Sequence, residues 1–304
     1  MADDSTDAVE LLTSVAHVKW TMEVIGHSFS LKLENAKIIE HSLSIYEKWM
    51  LINGGSTRGR DLRPKCMLDC EQEFIQDMLG HISFIFDDRS SSSASNYIDD
   101  HVTICNRAMD LLLKLGRVRG KQLSQATWER LLRLLIGITD NLLHGTKSTI
   151  GPKVCAGLYR VTLELFLRSA IHCGPFSDLW KLLTKFSKRW VHRRRVIEQW
   201  NAAVLALTRR AIYSLYGMAE DEETDPVRIV WMDNYTSTFE YVLSCCLTHL
   251  IELRRFTDAL LSYAWYRTLN VLGHPHHIAD PEVHAVAMVR FQLVWQIFRY
   301  KSVI

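Results

Sequence analysis

The chain has 304 residues, with 36 Lys and Arg against 34 Asp and Glu and a formal net charge of +2. Hydrophobic residues make up 48% and charged residues 23%, which excludes a disordered or fibrous chain. With 14 glycines and 6 prolines, turn residues are too few for an all-β fold. The balanced charge gives no overall attraction to nucleic acid or membrane, so any such contact must depend on a local patch.

Apolar residues recur at helical spacing from one end of the chain to the other, and no segment alternates over the length of a strand. The clearest helix covers residues 127–143, with Ser124 in position to cap its start. Gly116 is expected to end the fourth helix. Ten or eleven helices are predicted in chain order, at about residues 7–26, 34–53, 67–86, 97–115, 127–143, 152–170, 178–190, 196–216, 228–253, 257–272 and 281–300.

Helices joined by short polar loops pack as antiparallel neighbours, so this series predicts either one compact bundle or an α-solenoid of stacked hairpins. The solenoid is favoured because the apolar stripes are broad enough to contact two neighbouring helices. No motif recurs at a fixed period, so the repeats are expected to be degenerate and HEAT-like. The whole chain, residues 1–304, is interpreted as a single helical-repeat region with flexible loops at the Ser-rich residues 87–96 and the acidic residues 218–226.

Cysteine usage and the N-terminus indicate the cellular compartment. The seven cysteines are odd in number and irregularly spaced, and the N-terminal MADDSTDAVE is polar and acidic, without the apolar core of a signal peptide. Both features predict free thiols in a reducing compartment and a cytoplasmic location. No apolar run reaches the roughly 20 residues that cross a bilayer.

Motifs for metal or catalytic chemistry are weak. Cys66 and Cys70 lie four residues apart, and His274, His276 and His277 form the densest imidazole cluster, but no further ligands at suitable spacing complete either set. We interpret the cysteines as structural and the histidines as part of a solvated loop, and we predict no metal and no cofactor. The sequence has no phosphate-binding glycine loop, nucleophile elbow or H-E-x-x-H helix, so an enzyme is not expected.

The strongest local signal is a cluster of cations around Trp190, which we call the basic corner because a junction between two helices is predicted there. Such a density of positive charge is typical of a site for phosphates, anionic lipid or an acidic partner surface. The alternative is a solvated hinge neutralised by the acidic residues 220–225 of the same chain. The residues of the predicted partner or anion site are Lys185, Lys188, Arg189, Arg193, Arg194 and Arg195.

Tryptophans recur along the helical stripes, and we predict that they anchor the core rather than form ligand cages. Trp200, for example, shares a stripe with Ile197 and Val204. The predicted anchors are Trp128, Trp180, Trp190, Trp200, Trp231, Trp265 and Trp295.

Several short segments, in the same order along the chain, resemble the β subunit of the Ral GTPase-activating protein complex, a relative of tuberin. They include residues 18–25 (VKWTMEVI), 127–129 (TWE), 196–200 (VIEQW), 206–209 (ALTR) and 265–267 (WYR). The α subunit shares a related version of the block at 198–200. The similarity to β rather than α therefore depends mainly on residues 19–24.

This resemblance implies the non-catalytic N-terminal helical region of a scaffold subunit. In that family the β subunit pairs with a catalytic α subunit, and together they accelerate GTP hydrolysis on Ral GTPases through an asparagine of the partner's C-terminal α/β domain. No such GAP domain is expected in residues 1–304, which suggests a fragment, a short isoform or a divergent product. The implied partners are the α subunit and, indirectly, Ral-type GTPases, with no nucleotide bound directly; membrane contact is left open.

Two functional hypotheses follow. The first is an interaction scaffold within a GTPase-activating complex. The second is a helical-repeat adaptor that binds phosphates of lipid or nucleic acid through the basic corner at residues 185–195. Ionic strength distinguishes them, because phosphate binding weakens steeply as salt rises, whereas packing between helix faces does not.

Overall fold

The computed structural model describes residues 11–51, 63–87, 89, 95–145, 148–174, 176–216, 267–268 and 271. All regular structure in these residues is helical, which confirms the predicted all-α class. Most of the predicted loop at 87–96, all of the loop at 218–226 and nearly all of the last three predicted helices lie outside them. The α-helices described are α1 (Val15–Ser28), α2 (Ala36–Leu51), α3 (Glu71–Ile82), α4 (Ser95–Arg119), α5 (Gln125–Leu143), α6 (Gly151–Cys173), α7 (Ser177–Ser187) and α8 (Arg194–Tyr216).

Two helix starts follow from local sequence as predicted. Ser124 caps α5, since its Oγ accepts a hydrogen bond from the backbone N–H of Thr127 at 3.2 Å. This bond satisfies one of the donors that the first turn of a helix leaves unpaired. Pro152 lies in the first turn of α6, where its missing N–H breaks no helical hydrogen bond.

The prediction that Gly116 ends α4 was wrong, because the helix continues to Arg119. A Cβ atom at residue 116 would overlap Leu165 Cδ2 of α6 and lie 3.2 Å from the Trp128 ring of α5. Glycine is therefore required at this position by the close approach of two other helices. Its role is a tertiary contact, which the local sequence does not distinguish from a helix end.

Two other helices are shorter than predicted. α1 begins at Val15, where the Oγ of the preceding Ser14 accepts a hydrogen bond from the N–H of His17 at 3.2 Å, so the expected start near residue 7 is wrong for this helix. The segment predicted as one helix over 67–86 divides into α3 and two flanking 3-10 turns, Lys65–Met67 and Ser83–Phe86.

The chain divides into two compact units, Met1–Leu179 and Trp180–Ile304. Contacts in the first unit link each helix to the next but one: α1 to α3, α2 to α4, α3 to α5 and α4 to α6. In addition, neighbouring helices in the chain pack against each other in three cases: α1 against α2, α2 against α3 and α5 against α6. The odd-numbered helices therefore form one row, and the even-numbered helices form a second row packed against it.

A carboxylate shared by two arginines joins α4 to α6 inside the first unit. Glu164 accepts hydrogen bonds from Nε and Nη2 of Arg117 at 2.7 and 2.8 Å and from Nε of Arg168 at 2.9 Å. Burial acts to raise the pKa of Glu164, but the hydrogen bonds and charges of Arg117 and Arg168 outweigh it and hold the pKa below its ordinary value. We call this group the buried triad.

A second glutamate joins three helix ends in the same unit. Glu71, at the start of α3, accepts hydrogen bonds from Arg63 and, at 2.7 Å, from Nη2 of Arg119. Arg119 also donates through Nη1 to the carbonyl of Met50, in the last turn of α2, at 3.1 Å. A single buried guanidinium therefore links the end of α2, the start of α3 and the end of α4.

Among the tryptophans that the structure describes, all but Trp20 are buried and anchor their unit. In the second unit, Trp200 is buried on α8 and its Nε1–H donates to the carbonyl of Thr268 at 2.6 Å. Trp20 on α1 is instead 70% exposed. Four of the predicted anchors are confirmed as buried: Trp128, Trp180, Trp190 and Trp200. The other three lie beyond the described part of the chain: Trp231, Trp265 and Trp295.

Candidate interaction surface

The basic corner is a tight connection between α7 and α8. α7 ends at Ser187, three residues before the predicted end, and α8 begins at Arg194. Between them, the N–H of Trp190 donates to the carbonyl of Ser187 at 3.0 Å, and the N–H of Arg193 donates to the carbonyl of Trp190 at 2.9 Å. Each of these hydrogen bonds runs from residue i+3 back to residue i and closes a turn, so the connection consists of successive turns.

Trp190 anchors this connection from inside the second unit. Its side chain is fully buried, and its ring stacks on Phe186 with the centroids 6.3 Å apart. The guanidinium of Arg189 lies over the Phe186 ring, 5.3 Å from the centroid. A cation in this position is attracted by the electron-rich face of the ring. The cations of the corner therefore project from a frame held by buried aromatic packing.

All six predicted site residues lie on the last turn of α7, the connection or the start of α8. Arg193 is half-buried, whereas the other five are exposed: Lys185, Lys188, Arg189, Arg194 and Arg195. The fold thus gathers the predicted residues on one short stretch of backbone. Their role in binding stays a prediction.

Sequence reasoning missed Glu198, which pairs with two of these arginines. Its Oε1 accepts a hydrogen bond from Nε of Arg194 at 3.0 Å, and its Oε2 accepts one from Nη1 of Arg195 at 3.1 Å. The spacing of four and three residues along one helix was the signal that could have identified this pairing. The acidic neighbour suggested by the sequence, residues 220–225, lies outside the described part of the chain. We call Arg194, Arg195 and Glu198 the exposed triad.

Positive charge exceeds negative charge at the corner. Residues 185–198 contain six Lys or Arg and a single acidic residue, Glu198. The side chains of Arg194 and Arg195 are 60% and 67% exposed, so water weakens their ion pairs and the pairs contribute little to folding. Cations in the first turn of α8 also face the positive end of the helix dipole, which disfavours them. The dipole of α8 therefore gives no reason for Arg194 and Arg195, whereas Lys185 in the last turn of α7 lies at the negative end of that helix, where a cation is stabilising.

The thiols of Cys105 and Cys173 are poorly suited to act as nucleophiles. Burial raises the pKa of the Cys105 thiol to about 12, although the positive charge of Arg89 acts to lower it. Burial also raises the pKa of Cys173. Because nucleophilic cysteines need a lowered pKa, both thiols stay protonated at neutral pH. Cys66 and Cys70, predicted to be structural, are half-buried, and neither forms a disulfide.

Within the residues that the structure describes, no three side chains of His, Cys, Asp or Glu are grouped so that they could hold a metal ion. The histidine cluster at 274–277 is not among these residues. None of the helices in the described ranges has both the length and the apolarity required to cross a bilayer.

The sequence is similar to subunits of Ral GTPase-activating proteins and to a Rap-GAP domain-containing protein. Residues 97–218 match the family model described as the RALGAPB N-terminal domain. Over 90% of its length the chain is 25% identical to the Ral GTPase-activating protein subunit beta of Homo sapiens, and it covers 16% of that protein. A Rap-GAP domain-containing protein of Dictyostelium discoideum is 27% identical over 64% of this chain and 11% of its own length. The Ral GTPase-activating protein subunit alpha-1 of Mus musculus is 20% identical over 48% of this chain and 8% of its own.

These similarities confirm the resemblance to the β subunit that the short segments indicated. The chain spans less than a fifth of the length of the β subunits that it matches. The region matched by the family model extends from α4 to α8 and includes the basic corner. No solved structure matches the chain.

Proposed function

We propose that this chain, which matches the RALGAPB N-terminal domain over residues 97–218, is the N-terminal helical region of a non-catalytic scaffold subunit of a Ral GTPase-activating protein complex. In this proposal it supports GTPase activation through protein–protein contacts in the cytoplasm. Its direct partner is the catalytic α subunit, and Ral-type GTPases are the indirect target. The observation that carries the proposal is the similarity to β subunits over 90% of the chain.

Helix packing in the first unit supports a scaffold role. Each helix contacts the next but one, in two rows, which is the arrangement expected for stacked helical hairpins. We therefore extend the proposal to a HEAT-like solenoid. Solenoids of this kind bind partners along extended surfaces of stacked helices, which suits a subunit that holds others in position.

We do not propose a catalytic role for this chain. Acceleration of GTP hydrolysis requires groups that stabilise charge on the transferred phosphoryl group, such as an exposed arginine or a residue that orients water. The resemblance implies that the α subunit supplies the catalytic domain.

Reconstitution with purified proteins tests this proposal. The full chain and a catalytic α subunit are mixed and separated by size-exclusion chromatography, and single-turnover GTP hydrolysis by a Ral GTPase is measured with each protein alone and with both. We expect the two proteins to co-elute, and we expect the chain alone to leave hydrolysis at its intrinsic rate. Separate elution at micromolar concentrations, or faster hydrolysis with the chain alone, would contradict the proposal.

A further inference from the structure

The cations of the basic corner project outward from a fixed frame. The frame is the hydrogen-bonded connection between α7 and α8, held by the buried ring of Trp190. The charge excess is large, since residues 185–198 contain six cations and only one carboxylate, that of Glu198. The exposed cations are Lys185, Lys188, Arg189, Arg194 and Arg195.

The apolar side chains of the corner do not contribute an anchor for a protein partner. Across residues 185–198, all of which the structure describes, no large apolar side chain is exposed, and Trp190, Val196 and Ile197 are buried. Specific protein interfaces obtain most of their energy from a few large side chains that become desolvated. Binding at the corner must therefore come from charge, and charge alone binds best to a surface that presents many anions.

Single-stranded nucleic acids and anionic membranes both present such surfaces, and the corner fits a membrane better. Single-stranded nucleic acid is held largely by stacking of bases on exposed aromatic rings. The two large aromatic rings of the corner are engaged within the fold, since Trp190 is buried and Phe186 lies under Arg189. The third ring, the exposed imidazole of His192, lies 3.1 Å from the carbonyl of Arg189 through Nδ1. Clusters of about four to eight Lys and Arg, in contrast, are typical of proteins that bind anionic headgroups.

We propose that the basic corner is a peripheral contact site for an anionic membrane surface. Headgroup phosphates and carboxylates lie against the ammonium groups of Lys185 and Lys188 and the guanidinium groups beside them, and no side chain enters the hydrocarbon. Glu198 competes with the headgroups for Arg194 and Arg195, and so weakens the contact. This inference goes beyond the scaffold role, because the contact requires neither an α subunit nor a GTPase.

Sedimentation of the full chain with lipid vesicles tests this site. The vesicles consist of phosphatidylcholine, with or without about 30% phosphatidylserine, at about 0.1 M salt. Binding should require the anionic lipid and should weaken steeply as salt rises. Each Lys or Arg near such a surface contributes about a fivefold factor in partitioning. The variant Lys185→Gln/Lys188→Gln should therefore bind about 25-fold more weakly than the parent chain.

Two further variants distinguish binding at this site from a general effect of charge and from an effect of misfolding. Lys32→Gln/Lys37→Gln removes the same charge from two exposed lysines of the first unit, and should bind like the parent chain. Glu198→Gln removes the one carboxylate within residues 185–198, and should bind about fivefold more tightly. Circular dichroism and sedimentation without lipid check that this variant is folded and stays in solution, so a gain that requires anionic lipid reports on the site even if the lysine variant is unstable.

Three results would overturn the proposal: no sedimentation with anionic vesicles, equal losses in the two lysine variants, or unchanged binding of Glu198→Gln. Tighter binding to a DNA or RNA duplex than to vesicles at equal phosphate concentration would also overturn it and assign the corner to nucleic acid. The vesicle assay contains no partner protein, so a failed reconstitution with the α subunit does not affect its result.

Discussion

The buried triad and the exposed triad are the same ionic unit in two environments. Each consists of two arginines on one glutamate, with N···O distances of 2.7–2.9 Å in the first and 3.0–3.1 Å in the second. Glu164 is 14% exposed and Glu198 is 32% exposed, but the larger difference lies in the arginines: Arg168 is 7% exposed and Arg195 is 67% exposed. Water can replace a lost partner only in the exposed triad. Burial, rather than geometry, therefore decides how much the loss of one partner destabilises the fold.

Removing the carboxylate charge from the buried triad should have the largest effect on the stability of the fold. Glu164→Gln keeps the shape of the side chain but removes the negative charge that Arg117 and Arg168 share. Breaking a buried ion pair from one side costs about 3–5 kcal/mol, and because this triad retains some exposure we expect a loss of about 3 kcal/mol in the free energy of unfolding. Urea denaturation followed by circular dichroism measures the loss.

Glu129→Gln is the matched control for that variant. Glu129 binds Arg133 at 2.7 Å on the surface of α5, with both side chains largely in water. Its replacement should cost no more than about 0.5 kcal/mol. Equal losses in the two glutamine variants would contradict the role given to burial.

The buried triad should also make stability depend on pH. The arginines hold the pKa of Glu164 below its value in the unfolded chain, so the unfolded state binds a proton more readily. The resulting stabilisation is complete above about pH 4.3 and is lost as the pH falls through the lowered pKa of the folded state. The melting temperature of the parent chain should therefore fall more steeply than that of Glu164→Gln between about pH 5 and pH 3. Parallel curves would exclude Glu164 as the cause.

Changes at the exposed triad should have the smallest effect on folding. Arg194→Gln/Arg195→Gln removes both ion pairs to Glu198, and we expect the free energy of unfolding to change by less than about 1 kcal/mol. Differential scanning calorimetry provides the measurement. A loss of several kcal/mol would show that the corner is paired within the fold, and would remove the difference between the two triads.

Features that are local in sequence were predictable, and features that join distant segments were not. The Ser124 cap and the six cations of the corner lie within a few residues of the signals that identify them, and Glu198 could have been found from its spacing alone. Arg117 and Glu164, in contrast, are 47 residues apart, and nothing near either residue marks the other as its partner. Gly116 was misinterpreted for the same reason, since the side chains that require a glycine belong to other helices.

The exposure of Trp20 gives the chain an optical reporter on its first helix. An indole in water emits at longer wavelength than one in a protein core and is accessible to soluble quenchers, whereas the buried rings of Trp49 and Trp128 are shielded. The difference between the emission of the parent chain and that of Trp20→Phe therefore isolates the signal of α1. Any protein that covers this helix will shift that signal to the blue, so occupancy of α1 can be followed without a label.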